Sequence, residues 1–170
     1  MIKQICRWLL KEEIEEYLNK ISAQTAEITK LKLLLDDKFS EIKPTGEISN
    51  SELRELLTPY CNEIHLSDMT YGLCSVAEAK KYSEQTKISI KEWIAEKYDC
   101  DEFSFALAGY WNLDLYQYPL GIVWSSSHAF NIFIDDKKEI YIVEPQTNKF
   151  TPIKDLMKNK IYYPFRFIII

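Results

Sequence analysis

Residues 98–107 carry the most chemistry in this chain, because a cysteine stands there among acidic side chains. Asp99 precedes Glu102 by three residues and an apolar run follows, which is typical of a helix start. Cys100 then takes the first helical position, where unpaired backbone N–H groups and the helix dipole favour a thiolate. The flanking carboxylates oppose a second anion. The thiol therefore needs a cationic histidine or a bound metal to become reactive, and the alternative is an inert, buried cysteine.

A histidine that could serve as this partner begins the most strand-like stretch of the chain, residues 128–134. The chain returns as residues 139–145, so a β-hairpin is predicted. Alternation places His128 on the apolar face of the first strand and Glu144 at the end of the apolar face of the second strand. Because an unpaired buried charge is costly, we expect these two side chains to pair. The predicted register sets His128 opposite Glu144, Phe130 opposite Ile142 and Ile132 opposite Ile140.

This order of cysteine, histidine and carboxylate resembles the papain-like and transglutaminase-like cysteine proteinases. It is most similar to the bacterial transglutaminase-like proteinases. It is also similar to the calcium-dependent cysteine-protease domain of the fairy-ring mushroom agglutinin and to related bacterial and phage lectin-like proteins. The resemblance covers residues 60–150 and rests on the motifs at 99–103 (Asp-Cys-Asp-Glu-Phe), 128–131 (His-Ala-Phe-Asn) and 143–147 (Val-Glu-Pro-Gln-Thr).

The resemblance implies a papain/transglutaminase-like α+β fold, in which a helical N-terminal half and the nucleophile helix pack on an antiparallel sheet. It implies a thiol hydrolase, a peptidase or amidase acting on a peptide or protein substrate. Cys100 would be the nucleophile, His128 the general base and Glu144 the residue that holds the imidazole. The backbone N–H of Cys100 would be an oxyanion donor. Gln146 would join the oxyanion or substrate site if its strand continues past Pro145.

Calcium is predicted beside the nucleophile, with Asp99 and Asp101 as ligands and Glu102 as a third nearby carboxylate. Carboxylates clustered in a short turn are hard oxygen ligands that calcium accepts, and its charge would reverse the local repulsion. The calcium-dependent relatives place ligands beside the cysteine. The alternative is that these acids only cap the helix and complement its dipole. No organic cofactor is predicted.

Two alternatives to hydrolysis stay open. One is a non-catalytic interaction module on the same fold, associated with phage or secretion, which the 14% aromatic content and the N-terminal heptads favour. The other is an acyl transferase with the same triad, because transfer and hydrolysis share an acyl-thiol intermediate. A serine nucleophile at residues 125–127 is discounted, because no glycine-flanked elbow surrounds it.

Composition excludes several other classes. The net charge of −5 and pI of about 5.2 argue against nucleic acid as a partner. Four irregularly spaced cysteines are typical of reduced thiols, and no zinc-ligand spacing is present. We find neither a secretory segment nor a membrane span, so a cytoplasmic location is the default expectation.

Two regions are predicted along the chain. Residues 1–43 form a long helix whose apolar positions recur at spacings of three and four, and this stripe binds either a second copy or the body of the same chain. Residues 47–170 form the α+β domain. Its predicted helices are 50–58, 76–84 and 90–98, followed by the cysteine helix. Its predicted strands are 120–124, the hairpin and 162–170. His65, in the irregular stretch 60–71, is interpreted as a loop histidine.

Overall fold

The computed structural model describes residues 14–28, 42–113 and 116–170. The contacts divide the chain into two units, Met1–Ser40 and Glu41–Ile170. In the first unit, residues 14–28 form helix α1, and every side chain of this helix is exposed. Residues 1–13 and 29–41 of the predicted N-terminal helix lie outside the described residues, and residues 42 and 43 are not helical. Among the residues that are described, no helix has the length and apolar content needed to cross a membrane.

The second unit alternates short strands with helices. The strands are β1 (Gly46–Ser49), β2 (Ile64–His65), β3 (Thr70–Leu73), β4 (Leu120–Trp124), β5 (Ala129–Ile134), β6 (Ile140–Glu144), β7 (Lys149–Pro152) and β8 (Phe167–Ile169). The helices are α2 (Asn50–Leu57), α3 (Val76–Gln85), α4 (Cys100–Trp111) and α5 (Ile153–Leu156), with a 3-10 turn at Ile88–Ile90.

Serine caps begin α2 and α3, as their spacing predicts. At α2, the Ser49 hydroxyl accepts the backbone N–H of Glu52 at 3.3 Å. At α3, Ser75 accepts the N–H of Glu78, and the Glu78 carboxylate accepts the N–H of Ser75 in return. These bonds satisfy N–H groups that the first helical turn leaves unpaired. The predictions of helices at 50–58 and 76–84 are therefore confirmed.

The third capping pattern gives no helix, so the prediction of a helix at 90–98 is wrong. The segment makes a 3-10 turn at Ile88–Ile90 and then an irregular loop closed by a bridge between Ile94 and Tyr98. Glu96 has a φ of 58°, which interrupts a right-handed helix. Trp93 remains 56% exposed. Without an apolar face to bury, so short a helix is not stable.

Two sheets organise the second unit. One is the antiparallel pair of β1 and β3, and the other has the strand order β2-β8-β4-β5-β6-β7. In the larger sheet β2 and β8 are parallel, whereas the other neighbours are antiparallel. The prediction of a helical N-terminal half packed on an antiparallel sheet is wrong. Three strands lie in that half, and the large sheet is mixed. Strands of two to four residues are too short to show alternation in sequence.

The β5–β6 hairpin forms with a register two residues from the predicted one. Ile132 pairs with Ile142 and Ile134 pairs with Ile140, whereas the prediction set Ile132 against Ile140. A shift of two residues keeps every side chain on the same face of the sheet. His128 and Glu144 therefore share a face, one step diagonal to each other instead of directly opposite.

Helix α4 packs against β4 and β5 through buried Phe103, Leu107 and Trp111, which recur at a spacing of four. One buried polar side chain joins these three elements. Asn131 donates through Nδ2 to the carbonyl of Ser104 on α4, at 2.9 Å, and to that of Gly121 on β4, at 3.0 Å. This fixes α4, and with it Cys100, relative to the end of the hairpin.

Candidate functional site

Cys100 begins helix α4 as predicted, with acidic side chains arranged around the first turn. The backbone N–H of Asp99 donates to the Glu102 carboxylate at 2.9 Å. The Asp99 carboxylate in turn accepts the backbone N–H of Glu96 at 3.1 Å. These acids therefore cap the start of the helix and hold the loop before it, which is the alternative to metal binding considered from the sequence.

The Cys100 thiol is held in its protonated form. Burial raises its pKa most, and the charges of Asp99 and Asp101 raise it further, although the backbone N–H of Ala129 lowers it. That N–H and the Asp99 side chain lie close enough to the sulfur to influence its pKa. A thiolate nucleophile is therefore disfavoured here at neutral pH.

The carboxyls of Asp99 and Asp101 are hydrogen bonded to each other. This contact holds the pKa of Asp99 below its usual range and raises the pKa of Asp101. With Cys100 they form a group whose ligand atoms lie within 4.8 Å of one another. The donor set fits calcium only in part, because two carboxylates are hard ligands and the thiol is soft. Calcium at Asp99 and Asp101 stays a proposal.

His128 and Glu144 are in contact at the end of the hairpin. His128 Nε2 lies 2.8 Å from Glu144 Oε1, and the two side chains are each 16% exposed. The imidazole also packs edge-on against Tyr162, at 5.7 Å between ring centroids. Burial raises the pKa of the Tyr162 hydroxyl, and the Glu144 charge raises it further. The pair fixes the orientation of the imidazole at the rim of the site.

Gln146 lies outside this arrangement. Strand β6 ends at Glu144, and Gln146 falls in the turn before β7. The condition for its predicted role, a strand continuing past Pro145, is therefore not met. Gln146 is also absent from the residues that line the cleft described next.

Cys100 and His128 share an open cleft of about 200 Å³. Its lining residues are Cys100, Asp101, Trp124, Ser125, Ser126, Ser127, His128, Ala129 and Arg166. The cleft thus brings together the start of α4, the β4–β5 connection and the residue that precedes β8. The sequence prediction included Cys100, Asp101 and His128 but missed Trp124 and Arg166.

The serines of the β4–β5 connection build the floor of this cleft. The Ser125 hydroxyl accepts the backbone N–H groups of Ser127 and His128, at 3.3 and 3.1 Å. Ser125 itself is 2% exposed, whereas Ser126 and Ser127 are exposed. Ser125 therefore shapes the turn, and its two neighbours present hydroxyls to solvent.

Trp124, which lines the cleft, belongs to a row of three aromatic rings. Trp124 stacks on Phe167 at 4.9 Å between ring centroids, and Phe105 meets Trp124 edge-on at 5.4 Å. Phe105 is 54% exposed although it lies on α4. Arg166, beside this row, is exposed, and its backbone N–H donates to the Trp124 carbonyl at 2.7 Å. Within the described part of the chain, its guanidinium has no ion-pair partner.

The state of the thiol gives a first testable prediction. We expect the pH profile of Cys100 alkylation to have a midpoint above the ordinary thiol pKa of about 8.5, because burial and the nearby acids stabilise the protonated form. Asp101→Asn removes one of these charges and should move the midpoint to lower pH. The measurement is site-resolved mass spectrometry of iodoacetamide labelling, with Asp155→Asn, an exposed acid on α5, as the control. A midpoint below the ordinary value in the native protein would contradict this.

Comparison with known proteins gives structural neighbours only. No protein-family model matches the chain, and no curated protein matches it. Among solved structures, a complex of the Polyporus squamosus lectin PSL1a with E64 is similar, with a TM-score of 0.61 and 18% identity. The alignment covers 73% of this chain and 51% of that one. The Polyporus squamosus lectin bound to the human-type influenza-binding epitope Neu5Acα2-6Galβ1-4GlcNAc is also similar, with a TM-score of 0.59 and 18% identity over 73% and 49% of the two chains.

These neighbours correct the family prediction. They are described as a lectin, which contradicts the predicted papain-like or transglutaminase-like family, its α+β fold class and the thiol hydrolase function. The roles predicted for Cys100, His128 and Glu144, and for the Cys100 N–H, are not tested by these neighbours and stay predictions. At 18% identity the similarity shows the fold alone, and the chain spans about half the length of each lectin chain.

Proposed function

We propose that this chain is a non-catalytic binding module whose cleft beside Cys100 binds a carbohydrate. One observation carries the proposal: an aromatic ring, exposed hydroxyls, a guanidinium and a carboxylate line one open cleft of about 200 Å³. The likeness to lectins supports the same class of function. One of those lectins is bound to a sialylated glycan.

The chemistry of the cleft matches that of a sugar ring. A pyranose has an apolar C–H face that packs on an aromatic ring such as Trp124, and the stacking on Phe167 holds that indole in place. Its hydroxyls both donate and accept hydrogen bonds. Asp101 provides an acceptor, Arg166 a fork of donors, and Ser126 and Ser127 provide both.

The charge of the cleft favours an uncharged sugar. Among the described lining residues, Asp101 is the one carboxylate and Arg166 the one arginine or lysine, and Asp99 and Glu102 lie near Asp101 at the start of α4. A ligand with its own carboxylate would meet more repulsion than attraction. A neutral sugar gains hydrogen bonds to these carboxylates without that cost.

Binding without catalysis also agrees with the state of the thiol. The raised pKa of Cys100 keeps it neutral. The His128–Glu144 pair lies beside the cleft, with Nε2 of the imidazole directed toward the carboxylate. The cytoplasmic location predicted from sequence stays a prediction.

The proposal is tested by titrating the full chain with neutral sugars, including galactose, N-acetylglucosamine and Galβ1-4GlcNAc, while chemical shifts are followed. We expect saturable binding with a Kd of about 1 mM or tighter, which corresponds to about −4 kcal/mol. The same disaccharide with a terminal Neu5Ac should bind more weakly. Running each titration with calcium and with a chelator tests the calcium proposal at the same time.

Arg166→Gln should weaken binding about tenfold, because a hydrogen bond from a charged donor contributes about 1.5–3 kcal/mol. The side chain is exposed, so the fold should be unaffected. Lys154→Gln is the matched control, since it removes the same charge from an exposed position on α5 that lines a different cleft. Absence of binding to every neutral sugar, an equal effect of both variants, or hydrolysis of a peptide substrate would each overturn the proposal.

A further inference from the structure

Helix α1 has an apolar face whose side chains are exposed among the described residues. Its members recur at helical spacing and are each more than half exposed: Ile14 56%, Tyr17 59%, Leu18 59%, Ile21 57% and Ile28 54%. Ile14, Ile21 and Ile28 are separated by seven residues, as are Leu18 and Thr25. Spacings of four and then three residues are those of the d and a positions of a heptad. A narrow seam of this kind fits another helix better than the face of a sheet.

We propose that this face binds the same face of a second copy of the chain, which forms a two-stranded coiled coil. The inference does not depend on the proposed carbohydrate site. In sequence, the same spacing continues through Lys32, a polar interruption of the seam, to Leu35, so the pattern spans three heptads. The partner is identified by the charges and hydrogen bonds of α1.

The positions that flank the seam carry little charge. In the described helix they are Glu15, Tyr17, Ser22 and Gln24, of which one is charged. Flanking charges normally choose the partner of a coiled coil, and like charges there oppose self-association. A second copy therefore brings no row of like charges against this seam, and a partner with charged flanks would gain almost no ion pairs from it.

One ion pair of α1 lies on its outer surface. Lys20 and Glu16 are 2.6 Å apart, and the Lys20 ammonium also lies 5.7 Å from the centroid of the Tyr17 ring. These contacts lie within the helix, so they can persist when the seam is covered.

The hydroxyl of Thr25, which lies in the seam of the described helix, already has a hydrogen-bond partner. Thr25 donates through Oγ1 to the Ile21 carbonyl at 2.8 Å, within the same helix. A donor that is already satisfied can enter an apolar interface without the penalty of an unpaired polar group. Thr25 therefore reduces the apolar area of the seam, but the seam can still form a helix–helix interface.

The test is the mass of the full chain in solution, measured by size-exclusion chromatography with light scattering. We expect the wild type to run at twice the chain mass of 20.1 kDa and Ile21→Asp at a single chain mass. Ala23→Asp is the matched control: it places the same charge on the same helix, two residues away and on the outer face, and should leave the dimer intact. Circular dichroism checks that the second unit stays folded in both variants.

A second measurement fixes the interface. Under mild oxidation Ile21→Cys should give a covalent dimer that dithiothreitol reverses, whereas Ala23→Cys should give no more dimer than the wild type. A monomeric wild type at every concentration, or a dimer that persists in Ile21→Asp, would overturn the proposal. So would equal cross-linking at positions 21 and 23.

Discussion

Gly121→Ala is expected to destabilise the second unit by about 3 kcal/mol, at the upper end of the cost of overpacking a core. Gly121 lies on β4, and an added Cβ would fall inside van der Waals contact of the Ile169 carbonyl oxygen and of the Ile170 side chain. The first of these atoms belongs to the backbone of β8, so no rotamer change can relieve the clash. The β4–β8 pairing itself would have to move.

The measurement is the midpoint of thermal unfolding, followed by near-ultraviolet circular dichroism. A loss of 3 kcal/mol corresponds to a fall of roughly 6–12 °C for a chain of this size. Gly109→Ala is the control, because a Cβ there meets nothing within 4 Å and the position is inside α4. That variant should gain about 0.5–1 kcal/mol from helix propensity. Equal midpoints for the two variants would show that β8 does not approach Gly121 closely.

This close approach illustrates what sequence could not provide. The strand 120–124 is predicted with its observed bounds, because four apolar residues around one glycine form a short, continuous run. The partner that requires the glycine, β8, lies more than forty residues further along the chain. Nothing local identifies that neighbour. The predicted final strand, 162–170, was also longer than the observed Phe167–Ile169.

The hairpin was predictable in its faces but not in its register. Alternation decides which face a side chain occupies, so His128 and Glu144 were placed on one face and do meet at 2.8 Å. The turn length decides the register, and the Asp135 side chain fixes it by accepting the N–H groups of Lys137 and Glu139. That capping of the turn moved the pairing by two residues.

The candidate site was predictable in part. Cys100 begins a helix as its acidic neighbours indicated. The state of its thiol depends on burial and on the distance to His128, and neither follows from sequence spacing. Arg166 and Trp124 were not predicted as site residues, because they come together only when β8 pairs with β4. Three short motifs were likewise insufficient to identify a family, since each fixes a few residue types but no distances between them.

The largest pH-dependent effect is expected from Asn131→Asp, which should largely unfold the second unit at neutral pH. Asn131 is fully buried, and its Nδ2 donates to the Ser104 and Gly121 carbonyls. An introduced carboxylate would place a negative charge against the same two carbonyl oxygens, with no donor in reach. Burying an unpaired charge costs several kcal/mol, a large share of the total stability of a domain.

The pH dependence has a definite sign. Burial and the two carbonyls raise the pKa of the introduced carboxyl above its unfolded value of about 3.9, because only its protonated form can donate. The folded state then binds more protons than the unfolded state above that value, so stability falls as pH rises and returns as pH is lowered toward 4. Urea unfolding of Asn131→Asp between pH 4 and 8 measures this slope against wild type.

Asn131→Leu is the matched control, since leucine has the same number and branching of side-chain heavy atoms and no charge. It should lose about 1–2 kcal/mol at every pH, from the two hydrogen bonds. The loss is moderated because Asn131 Oδ1 is a buried acceptor with no partner among the described residues, and the substitution removes it. If Asn131→Asp were as stable as Asn131→Leu at pH 8, the side chain would lie in contact with water. Its bonds to α4 and β4 would then not be what positions Cys100.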